Sequence, residues 1–304
     1  MTEKIRSFTS SDLPRHLLSL TLVVASVALF WRPLSDLTAL ALASDPYSYI
    51  LLIPFISVFV LYRDQGNLFA GVDADHCLIR GATGPVIVLA VSALLAELFT
   101  MGAVNLPAEY ALSIKVVTIV VVWASIFAVC YGAQILRAAS FPLLLLLLMV
   151  PIPSHLMDKI VTSMQWGAAD ATYGLFHLAG VPVFRNGVDF ELPVVSIEVA
   201  KECSSIHSAC ALFITSLLVG HLFLKSLRAR VCLALVAIPI AMFTNAVRIV
   251  TLWSLATKVD IGFLYGSLHH NGGVVFSLVS LSILIGCLSL LRRLEGAGHR
   301  VAAA

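Results

Sequence analysis

The sequence predicts an all-α polytopic membrane protein with about eight transmembrane helices, and two observations support this fold class. Hydrophobic residues make up 60% of the 304 positions and charged residues only 12%, whereas charged residues are about 25% of a typical soluble domain. Several apolar runs are roughly 20 residues long, the length that a helix needs to cross a bilayer. We expect these spans to be helices, because helices satisfy their backbone hydrogen bonds internally. We also expect a single integral membrane domain over residues 1–304.

The first half of the chain should contribute helices at approximately residues 16–30, 47–62, 81–101, 111–131 and 138–150. No cleavage site follows the first apolar run, so we interpret it as a membrane helix and not as a removable signal peptide. A short loop is expected after it, because polar and bulky residues follow there, namely Trp31, Arg32, Asp36 and Asp45. The last of these helices should end at Pro151 and Pro153, since proline cannot continue the helical hydrogen-bond ladder.

Residues 154–204 are expected to form an insertion at the outer face of the membrane. Over residues 154–180, polar side chains interrupt the apolar ones, which favours an amphipathic helix at the interface or packed on the bundle. A poor transmembrane helix is the alternative for this stretch. Further on, Asn186-Gly187 stands between β-forming residues and is typical of a hairpin turn. A small β-hairpin is therefore predicted shortly before Cys203.

The remaining transmembrane helices are expected at residues 205–224, 231–256 and 272–291. With the N-terminus in the cytoplasm, most basic loop residues fall on the cytoplasmic side, as the positive-inside rule requires. They are Arg63, Arg80, Arg137, Lys225, Arg228, Arg230, Arg292, Arg293 and Arg300. A membrane crossing by residues 154–180 would invert the later loops and place the basic clusters outside. Both tails, residues 1–15 and 294–304, are thus predicted to be cytoplasmic.

This topology brings three chemically distinctive residues to one side of the membrane. Cys203 and His269 each lie just before a helix that runs from outside to inside. Arg248 lies in the later part of a helix that runs outward, some two turns from its expected outer end. All three are therefore expected near the outer face, although they are far apart in the sequence.

A thiol, an imidazole and a guanidinium form a sufficient set for acyl transfer. A thiol attacks as its thiolate, which a nearby cation favours by lowering the thiol pKa. An imidazole can supply that cation and then protonate the leaving amine. A guanidinium stays charged and can stabilise the oxyanion of a tetrahedral intermediate.

Each of these residues also has a simpler interpretation. A lone cysteine at a membrane edge is usually a packing residue, Arg248 can extend to the outer headgroups, and His269 with His270 can be a solvated pair. Asn245 lies one turn before Arg248 on the same helix face and is a candidate to orient it. His207, one turn after Cys203, is a rival base that spacing leaves open.

Metal, cofactor and nucleic-acid functions find no support in the sequence. The six cysteines show no CxxC pattern and no HExxH motif is present, so neither a zinc site nor a cofactor is expected. The net charge of +2 and the lack of an extended basic run argue against a nucleic-acid partner.

At these residues the chain resembles the exosortase/archaeosortase family of membrane transpeptidases. The family has an acidic-Cys-Ser stretch, an Asn-x-x-Arg helix and a His-x-x-x-Gly helix start. Here these read Glu202-Cys203-Ser204-Ser205-Ile206, Asn245-Ala-Val-Arg248 and His269-His270-Asn-Gly-Gly273. The resemblance covers most of residues 45–293. Departures at Ser205, where many members have Gly, and at His207, where many have Arg, leave the subfamily and its sorting motif open.

The resemblance implies Cys203 as the nucleophile, Arg248 as the oxyanion or substrate-positioning residue and His269 as the general acid/base. His269 is preferred over His270 because it alone has Gly four residues later. Ser204, Asn245, His207 and His270 are candidate supporting residues. The implied partners are membrane lipid and secreted proteins with a C-terminal motif such as Pro-Glu-Pro, a transmembrane helix and a basic tail. The implied location is a bacterial inner membrane, with the active site facing the periplasm.

Two functions of other kinds remain as alternatives. A transporter or scaffold without covalent chemistry would use Arg248 as an ion or substrate contact, although we see no clear internal repeat. A different membrane acyl transferase would use His269 or His270 as its base and would not depend on Cys203.

Overall fold

The computed structural model describes residues 13–68, 107–193, 196–199, 206–260 and 273–302. These residues are mostly helical and fall into two compact units, Met1–Ser154 and His155–Ala304, which we describe separately. Among them, five helices are long and apolar enough to cross a membrane, or up to seven if each of two bent helix pairs is one span. The chain is therefore a multi-pass helical membrane protein, as predicted. The expected helix at 81–101 lies outside the described residues.

The first unit begins with helices α1 (Leu13–Leu29) and α2 (Trp31–Ala43). The prediction of a loop after the first helix is wrong, because α2 occupies most of it. Pro33, Leu37 and Ala41 are buried and recur every fourth residue, so they form one packed face of α2. Arg32 and Asp36, which suggested a loop, lie on its exposed side.

The rest of the first unit comprises a 3-10 helix (Asp45–Leu52), α3 (Ile53–Leu68), α4 (Ala108–Ala138), α5 (Ser140–Leu145) and a second 3-10 helix (Leu146–Met149). Gly132 has a φ of 85° and kinks α4. The helix continues beyond this kink to Ala138, so Arg137, which was expected between two helices, lies in the last turn of α4. The prolines after the second 3-10 helix end the helical structure as predicted. Two backbone carbonyls there accept hydrogen bonds from side-chain hydroxyl groups. Ser113 donates to Pro151 (2.6 Å) and Tyr47 donates to Ile152 (2.7 Å).

The second unit begins with α6 (Ser154–Leu178) and a sheet of β1 (Phe184–Asn186), β2 (Asp189–Glu191) and β3 (Ile197–Glu198). The strands are antiparallel in the order β1-β2-β3. The hairpin predicted at Asn186-Gly187 is present, and Gly187 has the positive φ of 67° that this turn requires. The third strand was not predicted. Phe190 and Val199 bury their side chains against Phe176 of α6.

Three long helices complete the second unit, namely α7 (Ile206–Phe223), α8 (Leu227–Lys258) and α9 (Gly273–Ala302). They pack around one apolar cluster that includes Leu212 of α7, Leu233 of α8 and Leu284 of α9. Their opposite surfaces carry exposed apolar side chains, such as Leu235 and Leu278. A buried face inside the bundle and an apolar face outside it are what a lipid environment requires.

Candidate functional site

A polar pocket lies among α7, α8 and α9. Its empty volume is about 280 Å³, part of which is open to the surroundings. The described residues that line it are Ser208 of α7, then Ala241, Thr244, Asn245 and Arg248 of α8, and Gly273, Phe276, Ser277 and Ser280 of α9. Six of these nine residues are polar, in helices that are apolar enough to cross a membrane. Polar side chains at membrane depth are costly and are by default a sign of function.

Arg248 and Asn245 share this pocket because they lie three residues apart on α8, which places them on one helix face. Asn245 is 3% exposed, while Arg248 is half-buried. α8 continues to Lys258, so Arg248 lies about 15 Å of helical rise before its C-terminal end. That is nearly three turns, about half a turn more than the sequence suggested, because α8 ends two residues beyond the predicted end at 256.

A pair of hydroxyl groups forms part of the pocket lining. The Oγ1 atom of Thr244 and the Oγ atom of Ser280 are 2.7 Å apart and join α8 to α9. Each is also within hydrogen-bonding distance of a carbonyl of its own helix, Ile240 (2.8 Å) and Phe276 (3.0 Å) respectively. Two hydroxyls have only two protons to donate. If one hydroxyl donates to the other across the 2.7 Å contact, only one of the two carbonyls can also receive a hydroxyl proton.

The candidate residues predicted from the sequence divide into two groups. Asn245 and Arg248 line the pocket, while His207 lies in the first turn of α7 with its side chain exposed and does not appear in the lining. Cys203, Ser204, His269 and His270 lie outside the described residues. Two lining residues nevertheless follow these closely in the chain, since Ser208 is five positions after Cys203 and Gly273 is four positions after His269.

The segment before Cys203 is held at Val199. Its N–H donates to the carbonyl of Val188 (3.1 Å), and its carbonyl accepts a hydrogen bond from Nε2 of Gln165 (2.6 Å). Its side chain is 1% exposed and belongs to the cluster that contains Trp253. Ile249, next to Arg248 in the sequence, packs against the same cluster. Val199 and the arginine helix are thus parts of one packed core.

Several residues of this region were missed by sequence reasoning, namely Gln165, Ser208, Thr244, Ser277 and Ser280. A usable signal was present for the last two. They lie three residues apart in an apolar helix, so they share a face. No such signal existed for Gln165, which pairs with a backbone carbonyl 34 residues away. In the parts of the chain that the structure describes, no cluster of three or more His, Cys, Asp or Glu side chains has the geometry to hold a metal ion.

These features define a multi-pass helical membrane protein with an arginine-containing polar pocket in its helix bundle. The chain belongs to the transmembrane exosortase family, whose model matches residues 38–286, well over half of the chain. Membership supports a general role as a membrane transpeptidase. The matched range includes the pocket and the segments that carry Cys203 and His269. No curated protein and no solved structure matches the chain.

Proposed function

We propose that this protein is a membrane cysteine endopeptidase or transpeptidase that cleaves C-terminal sorting signals of secreted proteins. Cleavage would take place at the periplasmic face of a bacterial inner membrane, through a thioacyl intermediate on Cys203. One observation carries the proposal. Arg248 lines a polar pocket together with residues at the starts of α7 and α9, the two helices that directly follow Cys203 and His269 in the chain.

The electrostatic character of the pocket suits the stabilisation of a negative charge. Arg248 contributes a permanent cation with five N–H donors. Ser208 of α7 and Ser277 of α9 add hydroxyl groups that can donate hydrogen bonds. The described lining residues include no acidic side chain. An oxyanion that forms in the pocket would therefore meet one cation and hydroxyl donors from the neighbouring helices.

In the proposed reaction, the Cys203 thiolate attacks the carbonyl carbon of the scissile peptide bond. The carbonyl oxygen becomes an oxyanion that Arg248 stabilises. His269 donates its proton to the leaving amine as the C–N bond breaks, which leaves a thioester on Cys203. Water or an amine then attacks the thioester, gives its proton to His269, and releases the thiolate. Asn245 would orient Arg248, and Ser204, His207 and His270 would have supporting roles.

The membrane topology proposed for both partners favours a substrate with a helix and a basic tail. A basic tail stays on the cytoplasmic side, so the motif that precedes the substrate helix would emerge at the outer face. The enzyme would present its pocket at that face if residues 1–15 and 294–304 are cytoplasmic. A helix in the substrate would thus set the depth at which the motif meets the pocket. A motif such as Pro-Glu-Pro is the proposed recognition element.

The first test compares wild-type protein with Cys203→Ala in a host that produces a secreted substrate carrying such a signal. Substrate size would be followed on gels at matched membrane levels of enzyme. We expect processing to stop in Cys203→Ala and to continue in the control Cys232→Ala, which removes an exposed thiol from α8. Unchanged processing in Cys203→Ala would exclude the thiol mechanism. It would favour a transporter, a scaffold or a histidine-dependent acyl transferase.

A further inference from the structure

The segment that carries Cys203 follows Val199, whose backbone is hydrogen-bonded and whose side chain is buried. Val199 is bonded through both its N–H and its carbonyl, and its side chain is buried in the cluster formed with Phe176, Phe190 and Trp253. The chain reaches the first residue of α7, Ile206, only seven positions later. Cys203 is the fourth residue after Val199, so chain length alone keeps the two Cα atoms within about 14 Å of each other.

Gln165 supplies the one side-chain hydrogen bond that the structure describes for Val199. It is 6% exposed and lies on the buried face of α6, among Met157, Val161, Met164 and Ala168. An amide is costly to bury unless it is hydrogen-bonded, and an apolar side chain would fill the same space without that cost. The bond from Nε2 to the Val199 carbonyl is 2.6 Å long and buried. It also gives the Val199 carbonyl a hydrogen-bond partner in place of water.

The same turn of α6 also contributes to the apolar cluster beside Ile206, at the other end of the segment. Met164, adjacent to Gln165, is 5% exposed and belongs to the apolar cluster of α7, α8 and α9. Ile206, at the start of α7, packs against that cluster. Gln165 thus bonds one end of the connection directly, and Met164 shares an apolar cluster with the other end. Through Ile249 and Trp253, the first of these ends is also packed against the helix that carries Arg248.

We infer that Gln165 is a positioning residue for the reaction. By holding the Val199 carbonyl, it sets where the chain departs toward Cys203 relative to the helix of Arg248. This inference rests on the proposed function, because it assigns Gln165 a role through the Cys203 thiol. A purely structural role would lower the amount of folded protein and leave the properties of each folded molecule unchanged.

The test replaces Gln165 with methionine, which has a similar shape and no N–H donor, in the full chain in its membrane. The control is Thr172→Val on the same helix. Thr172 is also buried, and its hydroxyl donates to the Ala168 carbonyl of its own helix (2.7 Å). Two quantities would be measured at matched amounts of folded protein. They are kcat and KM for processing, and the alkylation rate of Cys203, followed by mass spectrometry of its peptide.

We expect kcat of Gln165→Met to fall about 10- to 100-fold, the usual cost of a small misplacement of reacting groups. KM should stay within about twofold, because the substrate pocket itself is intact. The Cys203 alkylation rate should change about threefold or more, since thiol reactivity follows its local environment. Thr172→Val should leave all three values near wild type. If Gln165→Met accumulates poorly, Gln165→Asn, one methylene shorter, should show the same changes.

Wild-type kcat together with a wild-type alkylation rate in folded Gln165→Met would overturn the inference, and so would a rise in KM alone. The alkylation rate does not depend on the reaction that Cys203 performs. If Cys203→Ala leaves processing intact, the proposed function fails as a separate matter. Gln165 would then be judged by the alkylation rate alone, as a residue that positions the segment but not a catalyst.

Discussion

At the scale of single residues, the chemistry that we propose for the pocket depends on one guanidinium. Arg248 is held on α8 beside Asn245 and above the hydroxyl pair of Thr244 and Ser280. A lysine at this position would keep the charge, but its compact ammonium group would replace the planar fork of N–H donors that a guanidinium offers. The difference between the two side chains therefore separates a need for charge from a need for directed hydrogen bonds.

We predict that Arg248→Lys lowers the processing rate about 100-fold or more, the typical effect of losing one donor to an oxyanion. The measurement is the initial rate of substrate cleavage at matched enzyme levels. Arg228→Lys, an exposed arginine on the same helix, is the matched control and should keep the wild-type rate. A near-normal rate in Arg248→Lys would show that positive charge alone suffices and would remove the directed oxyanion contact from the mechanism.

At the scale of elements, the β-hairpin is attached to α6 by Arg185. Its guanidinium forms an ion pair with Asp170 (2.7 Å), donates to the Gly187 carbonyl (2.7 Å), and lies 5.8 Å from the ring centroids of Trp166, Tyr173 and Phe190. Asp170 is 70% exposed, so its charge contributes little. The aromatic contacts and the backbone bond are therefore the main contributions of Arg185, beside the apolar packing of Phe190.

We predict that Arg185→Ala loosens the hairpin, whereas Asp170→Asn has a much smaller effect. Loss of cation–π contacts and of one hydrogen bond should weaken local stability by about 1–3 kcal/mol. Amide hydrogen exchange of residues 184–191 would report this as about 10-fold or faster exchange. Equal acceleration in the two variants would contradict the argument, because it would make the exposed ion pair the dominant contact.

At the scale of the whole molecule, the proposed reaction requires the pocket and residues 154–204 to face outside. The loop between α7 and α8 carries Lys225, and Arg228 lies in the first turn of α8, which favours a cytoplasmic position for this end of both helices. The pocket lies at the opposite end of α7, beside its first turn. Because α7 is long enough to cross a membrane, these two regions should lie on opposite sides.

We predict that a thiol reagent that cannot cross membranes labels Asp158→Cys in intact spheroplasts but labels Arg228→Cys only after the membrane is opened. Both positions are exposed in the structure. Labelling would be read by mass spectrometry of the peptide that contains each new cysteine. The reverse pattern would invert the topology. It would place the pocket in the cytoplasm, where a periplasmic sorting reaction cannot occur.

Local features explain where sequence reasoning succeeded and where it did not. The hairpin could be predicted at Asn186-Gly187 because Gly187 readily takes the positive φ of 67° that the turn between the paired residues Asn186 and Asp189 requires. Pro151 and Pro153 end a helix for an equally local reason. The loop predicted at Trp31–Ala43 failed because its polar residues suggested solvent. Their placement on one exposed side of α2 depends on what the buried side packs against.

The sequence by itself determined that this is a multi-pass helical membrane protein of the exosortase family, because long apolar runs and short motifs at set intervals are properties of the chain alone. It also singled out Arg248 and Asn245 by their cost inside an apolar helix. Only the tertiary structure placed Ser208 and Ser280 beside them and joined Gln165 to Val199. Such contacts link distant positions through packing and hydrogen-bond geometry, and no local preference of either residue encodes them.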